Sequence, residues 1–388
     1  MKILYVIGSM EVGGAEQHLL RVAGALAARG WQPTVFALNP KGPLTSVFEA
    51  AGVPVRGVSL PAAWVRWLRH PRVIAWTGLL ASMFLLVWTY WRLRPRVAHF
   101  FLPAAYIVGG TASLLAPRLL RVMSRRSLNH YQAKHRLFRR IELWLHARMD
   151  LVCGNSAAVV RDLQSEGVAQ DRLRLIYNGI EPRRFQAKRS RADVRAELGI
   201  QDTAVVMVMV ANLIPYKGHA DLVQALGGVE ASLPSDWVCV CVGRDDGIGA
   251  SLMEQARSAG IGDHFRFTGS RQDVPDLLAA ADVGMLCSHE EGFSNAVIEG
   301  MVSGLPMVVT DVGGNAEAVL HGQTGLVVPA RNPDLLGTAL LQLCSDADQR
   351  SQMGLAGRQR VLDHFSMEAC VANYEALYRQ QLLPTPVN

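Results

Sequence analysis

Two glutamates, Glu291 and Glu299, stand in the run Ser288-His289-Glu290-Glu291-Gly292-Phe293-Ser294-Asn295-Ala296-Val297-Ile298-Glu299-Gly300-Met301. Before it, Val283 to Cys287 is an apolar run of the length of a buried parallel strand. After it, Val297, Ile298 and Met301 recur at helical spacing until Gly304 and Pro306 stop the helix. The pattern predicts a strand, a polar loop and a helix whose first turn begins near Ser294. The unpaired N–H groups of that turn offer an anion site at the strand's carboxyl end. Glu291 falls on the loop and Glu299 about a turn into the helix; their acceptor-only oxygens suit hydroxyl groups. Amides for phosphate and carboxylates for sugar and ribose hydroxyls are what a nucleotide diphosphate carrying a sugar requires. A second turn, Gly13-Gly14, precedes a helix with Leu19, Leu20, Val22, Ala23 and Leu26 on its face. With no Cβ in the way, its backbone can approach a phosphate closely, although ligand-free Gly-rich turns are also common. The spacing is not Gly-x-Gly-x-x-Gly, which counts against a dinucleotide dehydrogenase.

These residues need strands to carry them. Lys2–Ile7 reads as a first strand, and further strands are predicted at 33–38, 53–60, 96–102, 119–124, 151–153 and 173–177, separated by helical segments. A second series is predicted at 205–210, 238–242, 265–268, 283–287 and 307–310. The fold class is therefore α/β, with two Rossmann-like doubly wound parallel sheets. The basic stretch 182–191 serves as the linker. The expected domains are 1–182, 183–366 and an amphipathic terminal helix from 367 to 388. The 388 residues, 50% hydrophobic, suffice for two cores. Net charge is +6 from 39 basic and 33 acidic residues, which suits anionic small molecules or lipid headgroups and is too diffuse for nucleic acid. Six scattered cysteines without a Cys-x-x-Cys pair point to buried thiols in a reducing compartment, and the first strand is too short for a secretory signal. The expected location is the cytoplasm.

The Glu291-x7-Glu299 pair resembles the signature of family 4 retaining glycosyltransferases, which have the GT-B fold: two Rossmann-like domains facing a cleft. The resemblance continues through Gly304-Leu305-Pro306-Met307-Val308-Val309-Thr310-Asp311, Gly313-Gly314-Asn315-Ala316-Glu317 and Gly322-Gln323-Thr324-Gly325-Leu326-Val327-Val328-Pro329. Gly13-Gly14-Ala15-Glu16 resembles the family's Gly-Gly-x-Glu loop. Val210-Ala211-Asn212 to Lys217-Gly218 resembles its diphosphate-binding segment, with Asn212 where many members have Arg.

The resemblance implies a metal-independent transfer of a sugar, with retention, from a nucleotide-diphosphate sugar to an acceptor hydroxyl, without a bound cofactor. Lys217 would act as the cation on the departing phosphate. Glu291 would hold a hydroxyl of the transferred sugar and Glu299 the ribose, with amides of Phe293, Ser294 and Asn295 on sugar and phosphate oxygens. Arg271 and Val274 would lie beside the nucleobase. Arg244 replaces the usual Asp of a strand-end Gly-Asp-Gly.

On the acceptor side, His99 ends a strand resembling one in the family and is expected near the cleft. Arg126 aligns with the position where many members carry a second His. An Arg cannot be a base, so it would hold an acceptor phosphate or the leaving diphosphate. His99 and His130 equally fit a structural role. Asp346-Ala347-Asp348 has the form of a metal motif, but its place between two helical runs favours a turn or an N-cap. The acceptor implied is a bacterial surface glycan or a lipid-linked one. Two further readings stand beside the transferase: a GT-B epimerase or phosphorylase, and a sugar-nucleotide-binding relative without turnover.

One stretch is unusual. From Val73 to Trp91 there is no charged residue, and five of the eight Trp lie between Trp64 and Trp91. Arg66, Arg69, His70 and Arg72 precede it, and Arg92, Arg94 and Arg96 follow. A spanning helix would put the first three strands of a sheet on the opposite side from the fourth. That leaves a covered internal helix, or one within 64–94 that dips into the interface at the inner face of the cytoplasmic membrane, with Trp and Arg at headgroup level.

Overall fold

All the strand pairings in both sheets are parallel. Most of the strands are apolar on both faces, as strands covered by helices on each side must be. The computed structural model describes residues 1–59, 71–128 and 135–382. They form two compact units: Met1–Gly179 with Met367–Asn388, and Ile180–Ser366. The boundary lies a few residues before the expected linker because Ile180 pairs with Ser366 and donates its N–H to the Phe365 carbonyl. Pro182–Phe185 is a short 3-10 turn beyond it.

The first unit holds β1 (Lys2–Ser9), β2 (Gln32–Asn39), β3 (Val55–Arg56), β4 (Val97–Phe101), β5 (Leu120–Arg125), β6 (Leu151–Gly154) and β7 (Leu173–Leu175). Their order is β3-β2-β1-β4-β5-β6-β7, so the chain starts in the middle and winds both ways. One face is covered by the helices Gly14–Ala28 and Met367–Leu382, the other by Pro71–Leu93, Pro103–Ser113 and Arg136–His146. The terminal helix packs Tyr374 and Tyr378 into the core beside Tyr5 and Trp31.

The second unit holds β8 (Val205–Val210), β9 (Trp237–Val242), β10 (Phe265–Gly269), β11 (Val283–Leu286), β12 (Met307–Thr310) and β13 (Gly325–Val328), in the order β10-β9-β8-β11-β12-β13. The last of these is a sixth strand where sequence reading predicts five. Four residues opening on a glycine give too short a pattern to read alone. Neighbouring Met307 to Thr310 supply the ladder that makes it a strand.

Among the described residues His18, His99 and His146 are buried in the first unit and His219 in the second, and burial shifts three of them. Burial holds His18 and His99 well below the usual imidazole value and brings His219 down to about 4, the Lys217 ammonium adding to the latter. In the unfolded chain each binds a proton near pH 6.5. Folding is therefore opposed increasingly as pH falls below that value, and no stability is lost to these groups above it. Burial raises the Glu16 carboxyl, which acts in the opposite direction lower down. Urea midpoints are expected to fall from pH 7 to pH 5, at up to ~1.4 kcal/mol per pH unit for each imidazole. A flat profile over that range would contradict the burial.

Candidate active site

In the second unit the loop after β11 runs from Cys287 to Ser294, and the helix Asn295–Val302 follows with Ser294 at its N-cap. The Ser294 side chain makes no capping bond to the first turn. Val297, Ile298 and Met301 bury the inner side of the helix, while Glu299 lies one turn in, half-buried.

Lys217 closes a 3-10 turn, Pro215–Lys217, that Gly218 ends in a left-handed conformation with φ +77°. A side chain at Gly218 would meet the backbone carbonyl of Cys287, so only glycine lets this turn lie against the end of β11. The result is a contact: Lys217 Nζ is 2.6 Å from Glu291 Oε1, and the buried Ser288 hydroxyl donates to the same oxygen at 2.7 Å. Further bonds fasten the loop. The His289 N–H donates to the Tyr216 carbonyl, and His289 Nε2 lies 2.8 Å from Asp221 Oδ2. The Thr310 hydroxyl donates to the Ser288 carbonyl, and the Gly314 N–H to the Gly292 carbonyl. Gly313, with φ +55°, lies against the Glu291 carbonyl. A cation, a carboxylate and a helix start are thus held at the carboxyl ends of β8 and β11. Ser288, Thr310 and Gly313 are positioning residues that sequence reasoning missed, although all three lie inside or beside the motifs.

The other donor-side candidates are more scattered. Asn212 accepts from the Arg244 N–H through Oδ1, tying β8 to β9, while the Arg244 side chain pairs with Asp246. Phe293 is buried, its ring centroid 5.1 Å from that of Phe365, so only its backbone is available to a ligand. Arg271 is engaged twice with Asp273 and once with Glu197. The fork fastens the loop that starts the Val274–Ala280 helix, where Val274 is the first residue. Asp346 is an N-cap, accepting from the Gln349 N–H.

In the first unit Gly13 caps the Gly14–Ala28 helix in extended backbone, with the Glu16 carboxyl folded beside it. Of the two roles open to His99, its surroundings fit the structural one. It is fully buried, Nδ1 2.6 Å from the Tyr378 hydroxyl and Nε2 2.8 Å from the Ser124 hydroxyl. Both ring nitrogens are engaged in the core, so it touches no substrate and belongs to the docking of the terminal helix. The partner tyrosine lies 279 residues away in sequence, which is why the pairing was not legible.

Arg126 follows β5, and its Nη2 donates to Asn178 Oδ1 at 2.6 Å. Its Nη1 is sealed from solvent with no hydrogen-bond partner among the described residues, and burial pushes the guanidinium below its ordinary value. His130, and with it Trp64, Arg66, Trp67, Arg69 and His70, lies outside the described residues.

Two family models divide the chain between them: Glycosyltransferase Family 4 matches residues 12–184 and Glycosyl transferases group 1 matches residues 190–360. The second contains Lys217, Glu291 and Glu299 in the order and spacing just described. The chain belongs to the group 1 glycosyltransferases. Among relatives of this group 1 chain, N-acetyl-alpha-D-glucosaminyl L-malate synthase of Bacillus anthracis is 26% identical over 59% of this chain and 59% of its own. Lipopolysaccharide core biosynthesis mannosyltransferase LpsB of Rhizobium meliloti is 28% identical over 61% of this chain and 68% of its own. The chain thus spans less than two thirds of the first relative's length. Among solved structures, Anabaena Alr3699/HepE in complex with UDP superposes with a TM-score of 0.84 at 23% identity, over 98% of this chain and 100% of that one. The two parallel-sheet domains are those of the GT-B fold.

Proposed function

We propose that this group 1 glycosyltransferase moves a sugar, with retention and without a metal, from a nucleotide-diphosphate sugar to the hydroxyl of a glycan or lipid-linked acceptor in the building of a bacterial surface polysaccharide. The observation that carries this reading is the Lys217–Glu291–Ser288 contact at the start of the Asn295–Val302 helix. As the glycosidic C–O bond breaks, its electron pair goes to a phosphate oxygen, and negative charge grows where the Lys217 ammonium and the first-turn amides can receive it. Glu291 accepts from a hydroxyl of the transferred sugar, which fixes the ring against the phosphate, and Glu299 accepts from the ribose. The acceptor oxygen then bonds to the anomeric carbon. Its proton needs an oxygen base, and the departing phosphate is one. His99 is excluded by burial and Arg126 by its permanent charge. Support for the donor class comes from the neighbour structures, which are complexes with UDP and with UDP-glucose, and for the acceptor class from a relative named for lipopolysaccharide core biosynthesis.

The test starts with thermal shifts in UDP, GDP, ADP and their sugar conjugates. One base is expected to raise the midpoint, and its radiolabelled sugar nucleotide to pass label to an acceptor or, slowly, to water. An isomerised donor would replace the reading by an epimerase, and binding without turnover by a non-catalytic protein. No shift with any nucleotide would overturn it.

A further inference from the structure

The Pro71–Leu93 helix buries Leu86 and Tyr90 in the first unit's core but leaves a stripe of large apolar side chains outside. Leu80 is 66% exposed and Phe84 75%, and Trp88 and Trp91 continue the same line at helical spacing. The Arg136–His146 helix is anchored in that core by Leu145 and exposes Leu137, Phe138 and Trp144. Between the two lies the Pro103–Ser113 helix, so the exposed residues stand on one side of the first sheet. Isolated exposed apolar residues are ordinary; two helices on one side of a sheet that each present aromatic and aliphatic side chains are not.

The charges around them have one sign. Between Glu49 and Glu142 the chain contains 15 Lys or Arg and no Asp or Glu. With the whole chain at +6, the remainder is net negative, so positive charge is concentrated in this segment. Arg92 and Arg94 end the first helix exposed, and Arg136, Arg139 and Arg140 stand exposed along the second, beside Leu137 and Phe138. The Arg148 guanidinium lies over the Trp144 ring, 3.7 Å from its centroid. Among the described residues no helix is long and apolar enough to cross a membrane.

We propose that the outward faces of the Pro71–Leu93 and Arg136–His146 helices form a docking surface for an anionic phospholipid bilayer. Leu80, Phe84, Trp88 and Trp91 enter the headgroup–acyl boundary, and the arginines of the second helix pair with lipid phosphates. Nucleic acid would be drawn by the same charge, but it offers no medium for Leu80 and Phe84; a bilayer receives both features. This surface includes the Arg136–His146 helix, whose pattern of basic and aromatic residues was not singled out from the sequence. It stands independently of the reading of the donor site.

The full chain should co-sediment with vesicles of phosphatidylcholine and phosphatidylglycerol but not with phosphatidylcholine alone, with a blue shift of tryptophan emission. Two exposed-surface variants dissect it. Phe84→Ser/Trp88→Ser should weaken binding and reduce the blue shift, of which Trp91 keeps a part. Arg136→Glu/Arg139→Glu/Arg140→Glu should weaken binding by on the order of a hundredfold or more, three headgroup-level charges being lost. Both variants should keep the wild-type thermal midpoint and donor turnover on a soluble acceptor. Equal binding to neutral vesicles, or variants that bind like wild type, would overturn the proposal. So would a wild-type dimer that the Phe84→Ser/Trp88→Ser variant converts to monomer, which would make the surface a self-association face. RNA that binds this surface more tightly than the anionic vesicles do would overturn it as well.

Discussion

Replacing Lys217 with alanine is expected to lower kcat/KM for sugar transfer by about a thousandfold or more while the chain stays folded. Removing one preorganised donor from a site where negative charge develops commonly costs 10²–10³ in rate. Here the group is a full cation, held 2.6 Å from Glu291 by a turn that only Gly218 permits. The stability cost should be moderate, because the Ser288 hydroxyl still donates to Glu291 Oε1 when the ammonium is gone. Lys217→Arg should recover only part of the rate, since a planar fork does not place charge where a compact ammonium does. Glu291→Ala should cost a comparable factor through loss of sugar orientation. The measurement is initial-rate kinetics with labelled donor beside circular dichroism and thermal midpoints. Turnover of Lys217→Ala within tenfold of wild type would remove the residue from its assigned role.

Gly218→Ala should cost both stability and turnover. The residue sits at φ +77°, where an L side chain costs roughly 1–2 kcal/mol, and its Cβ would press into the Cys287 backbone carbonyl rather than a side chain that could turn aside. Strain and clash together should remove about 3 kcal/mol or more, lowering the midpoint of the second unit by about 6–12 °C. The same displacement carries Lys217 away from Glu291, so turnover should fall with stability. Gly228→Ala supplies the contrast. It lies in the His219–Val229 helix with open space where its Cβ would go, and should gain up to about 1 kcal/mol. If the two variants had equal midpoints, the packing argument would fail.

Arg126 shows how a local motif falls short of a mechanism. The sequence placed it where relatives often carry His and left its task open. The structure ties its side chain to Asn178 and seals its other terminal nitrogen inside the first unit near Tyr374 and Glu16. A buried cation with an unengaged donor is costly unless something compensates it. The packing of the terminal helix and the Gly14–Ala28 helix creates that situation, and no pattern in the residues around 126 announces it.

What the sequence determined by itself is local and periodic. Apolar runs of strand length alternating with helical spacing dictated two parallel sheets, and Gly304 and Pro306 marked the end of the helix that begins beside Ser294. The order of Lys217, Glu291 and Glu299 announced a site for an anion and hydroxyl groups, because those chemistries need a cation, amides and acceptor oxygens near one helix start. Tertiary structure decided the rest. It buried His99 against a tyrosine from the far end of the chain, turned Arg271 into a loop fastener, made a strand of Gly325–Val328, and brought two apolar faces to one side of a sheet. Each depends on which distant residue arrives opposite. Composition and spacing constrain a residue's neighbours along the chain, whereas burial and pairing are set by neighbours across it.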